Sequence, residues 1–282
     1  MATGIVSIAA ADHGYRGISD VLIVLAAALL AALAILGIVR LRLDLRDLDV
    51  PLMLFTFVAA CAVVGTRLQW SALGAVGAVV WLALAGLAAR LLWRHRWTGL
   101  RDRARGGWEL ASVATSGLAI VAADGGWRVP AVVLLAVALC VYLAMTGLIL
   151  WRACHDPVAP ELRQPDIWIV MGGAAIATLA GDHIYGAGVE AIKPVTVLTW
   201  IVASLWIPLL VGWSVRLRDG NWWAAVFPLG MYSSATYASA VETGWHALTT
   251  MSLVFFWIAF AAWLLTCGVA VRDFGVKSVA HR

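Results

Sequence analysis

MATGIVSIAAADHG at residues 1–14 and VATSGLAIVAADGG at residues 113–126 are two copies of one pattern. Six of their first twelve positions are identical, among them Ala2/Ala114, Thr3/Thr115 and Asp12/Asp124. Two further stretches fall into the same register, MGGAAIATLAGDHI at 171–184 and MYSSATYASAVETG at 231–244. Each copy is a small-residue apolar run closed by an acid: Asp12, Asp124, Asp182 and Glu242. FVAACAVVGTRL at 57–68 is a weaker copy that lacks the acid. Tandem repeats of apolar segments are how membrane proteins commonly build transport pathways.

The copies are the odd members of a longer series. A membrane crossing needs about 20 apolar residues, and that ruler gives ten segments. They run over 1–12, 19–39, 51–67, 72–93, 108–124, 129–151, 167–182, 194–215, 222–241 and 247–271. Composition agrees: 63% of the 282 residues are hydrophobic and 13% charged, with a mean hydropathy of +0.91. Soluble domains carry about 25% charged residues and cannot hide so much apolar surface. Soluble enzymes, nucleic-acid binders and disordered chains are thereby excluded. The runs are too long and too uniformly apolar for barrel strands, so each is read as a helix. The expected fold is an all-α integral membrane protein, one transmembrane domain over residues 1–282, with ten helices paired as five hairpins. The first segment is short, because twelve residues rise only about 18 Å against a hydrocarbon core of about 30 Å. No basic region precedes it, so it does not read as a secretory signal. The expectation is a start codon placed late, with the beginning of the first helix missing.

Charge gives an orientation. Arg40, Arg42, Arg46, the run from Arg90 to Arg105 (Arg90, Arg94, Arg96, Arg101, Arg103, Arg105), Arg152, Arg163, Arg216, Arg218, Arg272, Lys277 and Arg282 follow even segments. They account for sixteen of the twenty basic residues. Arg16, Arg67, Arg128 and Lys193 lie on the other side. The positive-inside rule places the even loops and both termini in the cytoplasm, and reads the arginine run as topological. Trp70, Trp93, Trp108, Trp127, Trp151, Trp222, Trp223 and Trp245, near segment ends, fit an interfacial belt. Cys61, Cys140, Cys154 and Cys267 form no CxxC pair, so neither a zinc nor a redox site is indicated.

The repeat register also exposes a face. Its third position holds Thr3, Thr115, Gly173 and Ser233; its seventh Ser7, Ala119, Ala177 and Tyr237; its tenth Ala10, Ala122, Ala180 and Ala240. Positions 3, 7 and 10 share one side of a helix. Close helix packing selects such residues, and so does a conduit. The expectation is the conduit: five odd helices around a central pore lined by these residues with Gly230 and Ser234, and five even helices outside. The central depth of the odd segments has no ionisable residue, where coupled carriers usually keep one, which favours passive permeation. His13 and His183 share a repeat position, but no partner spacing supports a haem or metal site. No GxSxG, HExxH, P-loop or dinucleotide fingerprint stands in a credible context, so no enzyme and no cofactor is expected. Phe227 lies seven residues before Ser234, on the same helix face. Its ring narrows the expected conduit, and Pro228 beside it predicts a kink.

Two stretches resemble a known family. MATGIVSIAA at residues 1–10 is similar to the first helix of the tellurite-resistance/dicarboxylate transporter family, and WWAAVFPLGMYSSATYA at 222–238 to its ninth. That family includes bacterial tellurite-resistance proteins, fungal malate permeases and plant slow anion channels. The resemblance implies five inner helices around a pore, often a homotrimer, and a phenylalanine gate matching Phe227 in its WW…FP context. It implies small anions as permeants: monovalent anions, sulfite, C4-dicarboxylates or tellurite-related oxyanions. The expected protein is therefore an inner-membrane anion channel or passive anion transporter, with the lipid bilayer and further copies of itself as partners and no nucleic acid. A proton-coupled C4-dicarboxylate carrier and a haem-binding membrane protein are the alternatives.

Overall fold

The computed structural model describes residues 1–40, 44–94, 100–217 and 220–280. Arg42, Arg96, Arg218 and Arg282, counted above, lie outside the described residues. The fold among the described residues is carried by ten α-helices of eleven residues or more. They are α1 (Ala2–Asp12), α2 (Arg16–Arg40), α3 (Asp49–Leu68), α4 (Ser71–Arg94), α5 (Leu110–Asp124), α6 (Arg128–His155), α7 (Ile169–Gly186), α8 (Lys193–Ser214), α9 (Trp223–Thr243) and α10 (His246–Ala280). Eight of the described segments are long and apolar enough to cross a membrane. The two expected segments that fall short do so for different reasons. α1 has only 11 residues, and the 21 residues of α9 are diluted by Tyr232, Ser233, Ser234, Thr236, Tyr237 and Ser239.

Burial separates the helices into two kinds. The span containing α5 is 94% buried and that containing α7 is 89% buried, whereas α4 and α8 reach 22% and α10 only 11%. Leu29, Leu33, Val79, Leu82, Leu205 and Leu209 point outward from α2, α4 and α8. Continuous apolar surface of this kind suits lipid, not water. Each odd helix packs on the even helix that follows it. The odd helices also contact one another in the order α1–α3–α5–α7–α9 and back to α1.

Glycine makes those inner contacts close. A Cβ on Gly117 of α5 would stand 3.0 Å from Ala62 of α3, and one on Gly230 of α9 would stand 3.0 Å from Ile5 of α1. Gly4 meets Val63 and Gly172 meets Phe227 in the same way. Helices in lipid gain nothing from hydrophobic exclusion between them, so backbone approach through small residues supplies the contact.

The repeat is repeated in three dimensions at the turns. Gly14, Gly126 and Gly244 follow α1, α5 and α9 with φ of 78°, 77° and 74°, a conformation that costs other residues a steric clash. Tyr15 N–H donates to the Ala10 carbonyl at 2.9 Å, and Trp127 N–H to the Ala122 carbonyl at 2.8 Å. These are equivalent positions in the two copies.

At the opposite end, charged side chains tie the segment before α5 to its neighbours. Arg103 pairs with Asp47 and Asp49, and Trp108 Nε1–H donates to Asp49 at 2.7 Å. Arg105 donates from Nε to Asp166 at 3.0 Å and from Nη2 to Gln164 at 2.9 Å. Arg152 reaches the Ala104 carbonyl and Glu161, both at 2.8 Å. Two expectations change here. Trp108 is wholly buried in this network and does not belong to an interfacial belt, whereas Trp70, Trp93, Trp127, Trp222 and Trp245 are exposed. Arg103 and Arg105, read as topological charge, are also structural ties.

Candidate functional site

The odd helices end together. His183 of α7 bonds Asp124 at the end of α5 at 2.6 Å, and Arg67 at the end of α3 reaches Asp20 of α2 at 3.3 Å. Lys193 of α8 donates to the Glu242 carbonyl of α9 at 3.3 Å. Acids at helix C-termini face the negative end of the macrodipole, and Arg67 supplies a cation among them while His183 supplies a hydrogen-bond partner to Asp124.

Between these ends lies a cavity of about 450 Å³. All five odd helices line it: Ile5, Ile8, Ala11 and Asp12 from α1, Ala62, Val63, Thr66 and Arg67 from α3, Gly117 and Ile120 from α5, Ile176, Leu179 and His183 from α7, and Met231 from α9. Arg16, Asp20 and Gln69 complete the rim. The wall is thus graded. Asp12, Arg16, Asp20, Arg67, Gln69 and His183 stand where the helices end, and aliphatic side chains, Gly117 and Met231 make the depth.

None of the residues expected to line a conduit lines this cavity. Thr3, Ser7, Ala10, Thr115, Ala119, Ala122, Gly173, Ala177, Ala180, Gly230, Ser234 and Ala240 are buried between helices, and Tyr237 packs edge-on against His13 at 5.3 Å. Several hydroxyls and glycines of this face serve neighbouring helices. Thr3 accepts from Trp263 Nε1–H of α10 at 3.1 Å, and Thr115 from Trp81 Nε1–H of α4 at 2.9 Å. Ser7 donates to the Ser19 carbonyl of α2 at 2.7 Å, and Ser233 to the Ser252 carbonyl of α10 at 2.8 Å. Gly173 faces the ring of Tyr142, and Gly230 faces Ile5. These contacts have a simple physical origin. Indole N–H groups of outer helices have no water to bond in a membrane, so the inner helices turn their hydroxyl face to them. In α1 and α5 repeat positions 5 and 8 meet the cavity (Ile5, Ile8, Gly117 and Ile120), in α7 positions 6 and 9 (Ile176 and Leu179), and in α3 positions 7 and 10 (Val63 and Thr66) are among those that do.

Phe227 is 1% exposed. It packs against α7, where a Cβ on Gly172 would stand 3.2 Å from the ring. It does not line the cavity, but Met231, four residues on, does. Residues four apart lie one above the other on a helix, so Phe227 lies one turn from Met231 on the same face of α9. Pro228 stands inside α9, which continues through it to Thr243.

The two histidines expected at equivalent positions are held separately. His13 bonds Ser252 at 2.8 Å, whereas His183 bonds Asp124. Among the described residues no group of three or more His, Cys, Asp or Glu is placed to hold a metal ion. Arg67 is the residue that the sequence reading missed. The signal was present, since the third copy carries an arginine where the others approach an acid.

Comparison with known proteins bears on the same helices. A family model described as voltage-dependent anion channel matches residues 1–271. An uncharacterised membrane protein of Mycobacterium tuberculosis is 30% identical over 142 residues, covering 44% of this chain and 72% of the relative. An uncharacterised transporter of Methanocaldococcus jannaschii is 25% identical over 138 residues, covering 44% of this chain and 40% of the relative. The family match takes in every helix that lines the cavity, as well as the outer helices that hold them, and the chain belongs to the voltage-dependent anion channel family.

Proposed function

We propose that the protein is a passive anion channel or transporter whose conduit enters through this cavity and is closed at Phe227. The observation that carries the reading is the lining: five odd helices, with Arg16 and Asp20 of α2 at the rim, converge on one cavity, and Met231 on its wall lies one helical turn from the buried Phe227. The depth of this conduit is lined by Ile5, Ile8, Ile120, Ile176 and Leu179, with the titratable Asp12, Asp20 and His183 only toward the helix ends, which supports passive passage over a proton relay through the depth. A ring across an apolar passage blocks ions by excluding water. The architecture belonging to this reading is five inner helices around the conduit and five outer helices as their partners, ten crossings in five hairpins. Its setting is the inner membrane, with both termini cytoplasmic as the sixteen basic residues imply, and with homotrimers as the family resemblance implies.

Proteoliposomes loaded in turn with chloride, nitrate, sulfite, malate and tellurite test it. Flux of at least one anion, unaffected by a protonophore, is the expected result. No flux of any, or malate uptake that collapses with the protonophore, overturns the passive reading. Residue-specific cross-linking in membranes, giving a ladder that stops at three, is the expected outcome for the homotrimer.

A further inference from the structure

Arg67 occupies an unusual place in the repeat. Four inner-helix copies close on an acid at position 12, and the copy in α3 instead has Arg67 at position 11. The structure puts it on the cavity wall, in the last turn of α3, where the helix dipole favours a cation. Its guanidinium is held from behind. Nε and Nη2 donate to the Ser19 hydroxyl at 3.2 and 2.8 Å. Ser19 is wholly buried, and its hydroxyl is itself 3.1 Å from that of Ser7. Nη2 also reaches Asp20 at 3.3 Å, but the Asp20 side chain is 71% exposed. No hydrogen bond engages Nη1 among the described residues.

We propose that Arg67 is the anion-capture group of the cavity: its Nη1 edge receives a small monovalent anion at the mouth, and Asp20 is the counter-ion that this anion displaces. The inference rests on the passive-anion reading above and adds the residue that selects for charge. An orienting bond to a buried hydroxyl fixes the fork, so little freedom is lost when an anion arrives. The Asp20 pair is long and solvated, and exposed pairs of that kind contribute little, so exchange for an incoming anion is easy. A dianion is disfavoured because Asp12 and Asp20 line the same cavity and repel the second charge. Asp12 and Asp20 at the mouth then act as a filter against higher charge.

The test reads binding without transport. The full chain in detergent is melted in rising chloride, with gluconate holding ionic strength constant, and nitrate is run as a second probe. Wild type is expected to be stabilised saturably by both. Arg67→Gln should weaken the apparent affinity about tenfold, the loss expected for a hydrogen bond to a charged group, while melting normally in gluconate. Asp20→Asn should saturate at about threefold lower chloride, because a weak competitor is gone. Wild type without a chloride-dependent shift overturns the proposal, and so does Arg67→Gln with unchanged affinity. Should Arg67→Gln fail to fold, an unchanged half-saturation in Asp20→Asn overturns it alone. A protein that binds chloride through Arg67 yet passes no anion in proteoliposomes defeats the passage reading and leaves the capture site standing.

Discussion

Four hydroxyls, three of them on inner helices, receive the indole N–H groups of outer helices. Thr3, Thr115 and Thr236 accept indole N–H groups from Trp263, Trp81 and Trp200, and Tyr142 accepts one from Trp206, at 2.8–3.1 Å. Each pair satisfies a donor that lipid leaves bare. Trp81→Phe should therefore lower stability by about 0.5–1.5 kcal/mol, seen as a lower melting temperature with anion flux per folded molecule unchanged. Cysteine labelling reads the rotation of the helices directly. Cysteines at Ile8 and Ile120 should react with small aqueous thiol reagents, whereas cysteines at Ala119 and Ala177 should not. The reverse pattern places the conduit on the small face. The repeat itself was legible in the sequence, but which side of each inner helix meets the outer helices was not. Small residues suit a close helix contact and a narrow passage equally, and the tryptophans that break the tie lie far away in the chain.

Contacts between elements depend on the same economy of volume. Gly230 lets α9 approach Ile5 of α1, so Gly230→Val should overpack that contact and cost about 1–3 kcal/mol, measured by thermal melting in detergent. At the other end, Arg105 neutralises Asp166, whose side chain is 10% exposed. Arg105→Ala strands that carboxylate and should cost about 3–5 kcal/mol, while Arg90→Ala and Arg94→Ala should leave the melting temperature within error. Equal effects at all three positions would return the arginine run to a purely topological role. Helix limits were readable from apolar runs because lipid imposes length and composition together. The tie from Arg105 to Asp166 was not, since it joins residues 61 apart and a single pair of opposite charges leaves no periodic trace. α9 shows the converse: its Ser, Thr and Tyr residues lower its apolarity below that of a free-standing span, and burial against α1, α7 and α10 explains why it tolerates them.

Across the molecule, the even helices among the described residues carry the exposed apolar surface, and the odd helices contact one another in a closed order and all line one cavity. The proposed conduit enters through this cavity, and Met231 on its wall lies one helical turn from Phe227 on α9. The central claim is that this ring is the closed gate. Chloride flux in proteoliposomes, divided by the amount of folded protein, tests it in Phe227→Ala. The normalisation matters, because truncating a buried phenylalanine costs about 3–5 kcal/mol and lowers yield whatever its role. A gate predicts that flux per folded molecule rises above wild type. Flux that is unchanged or lower would contradict it and leave Phe227 as packing between α9 and α7.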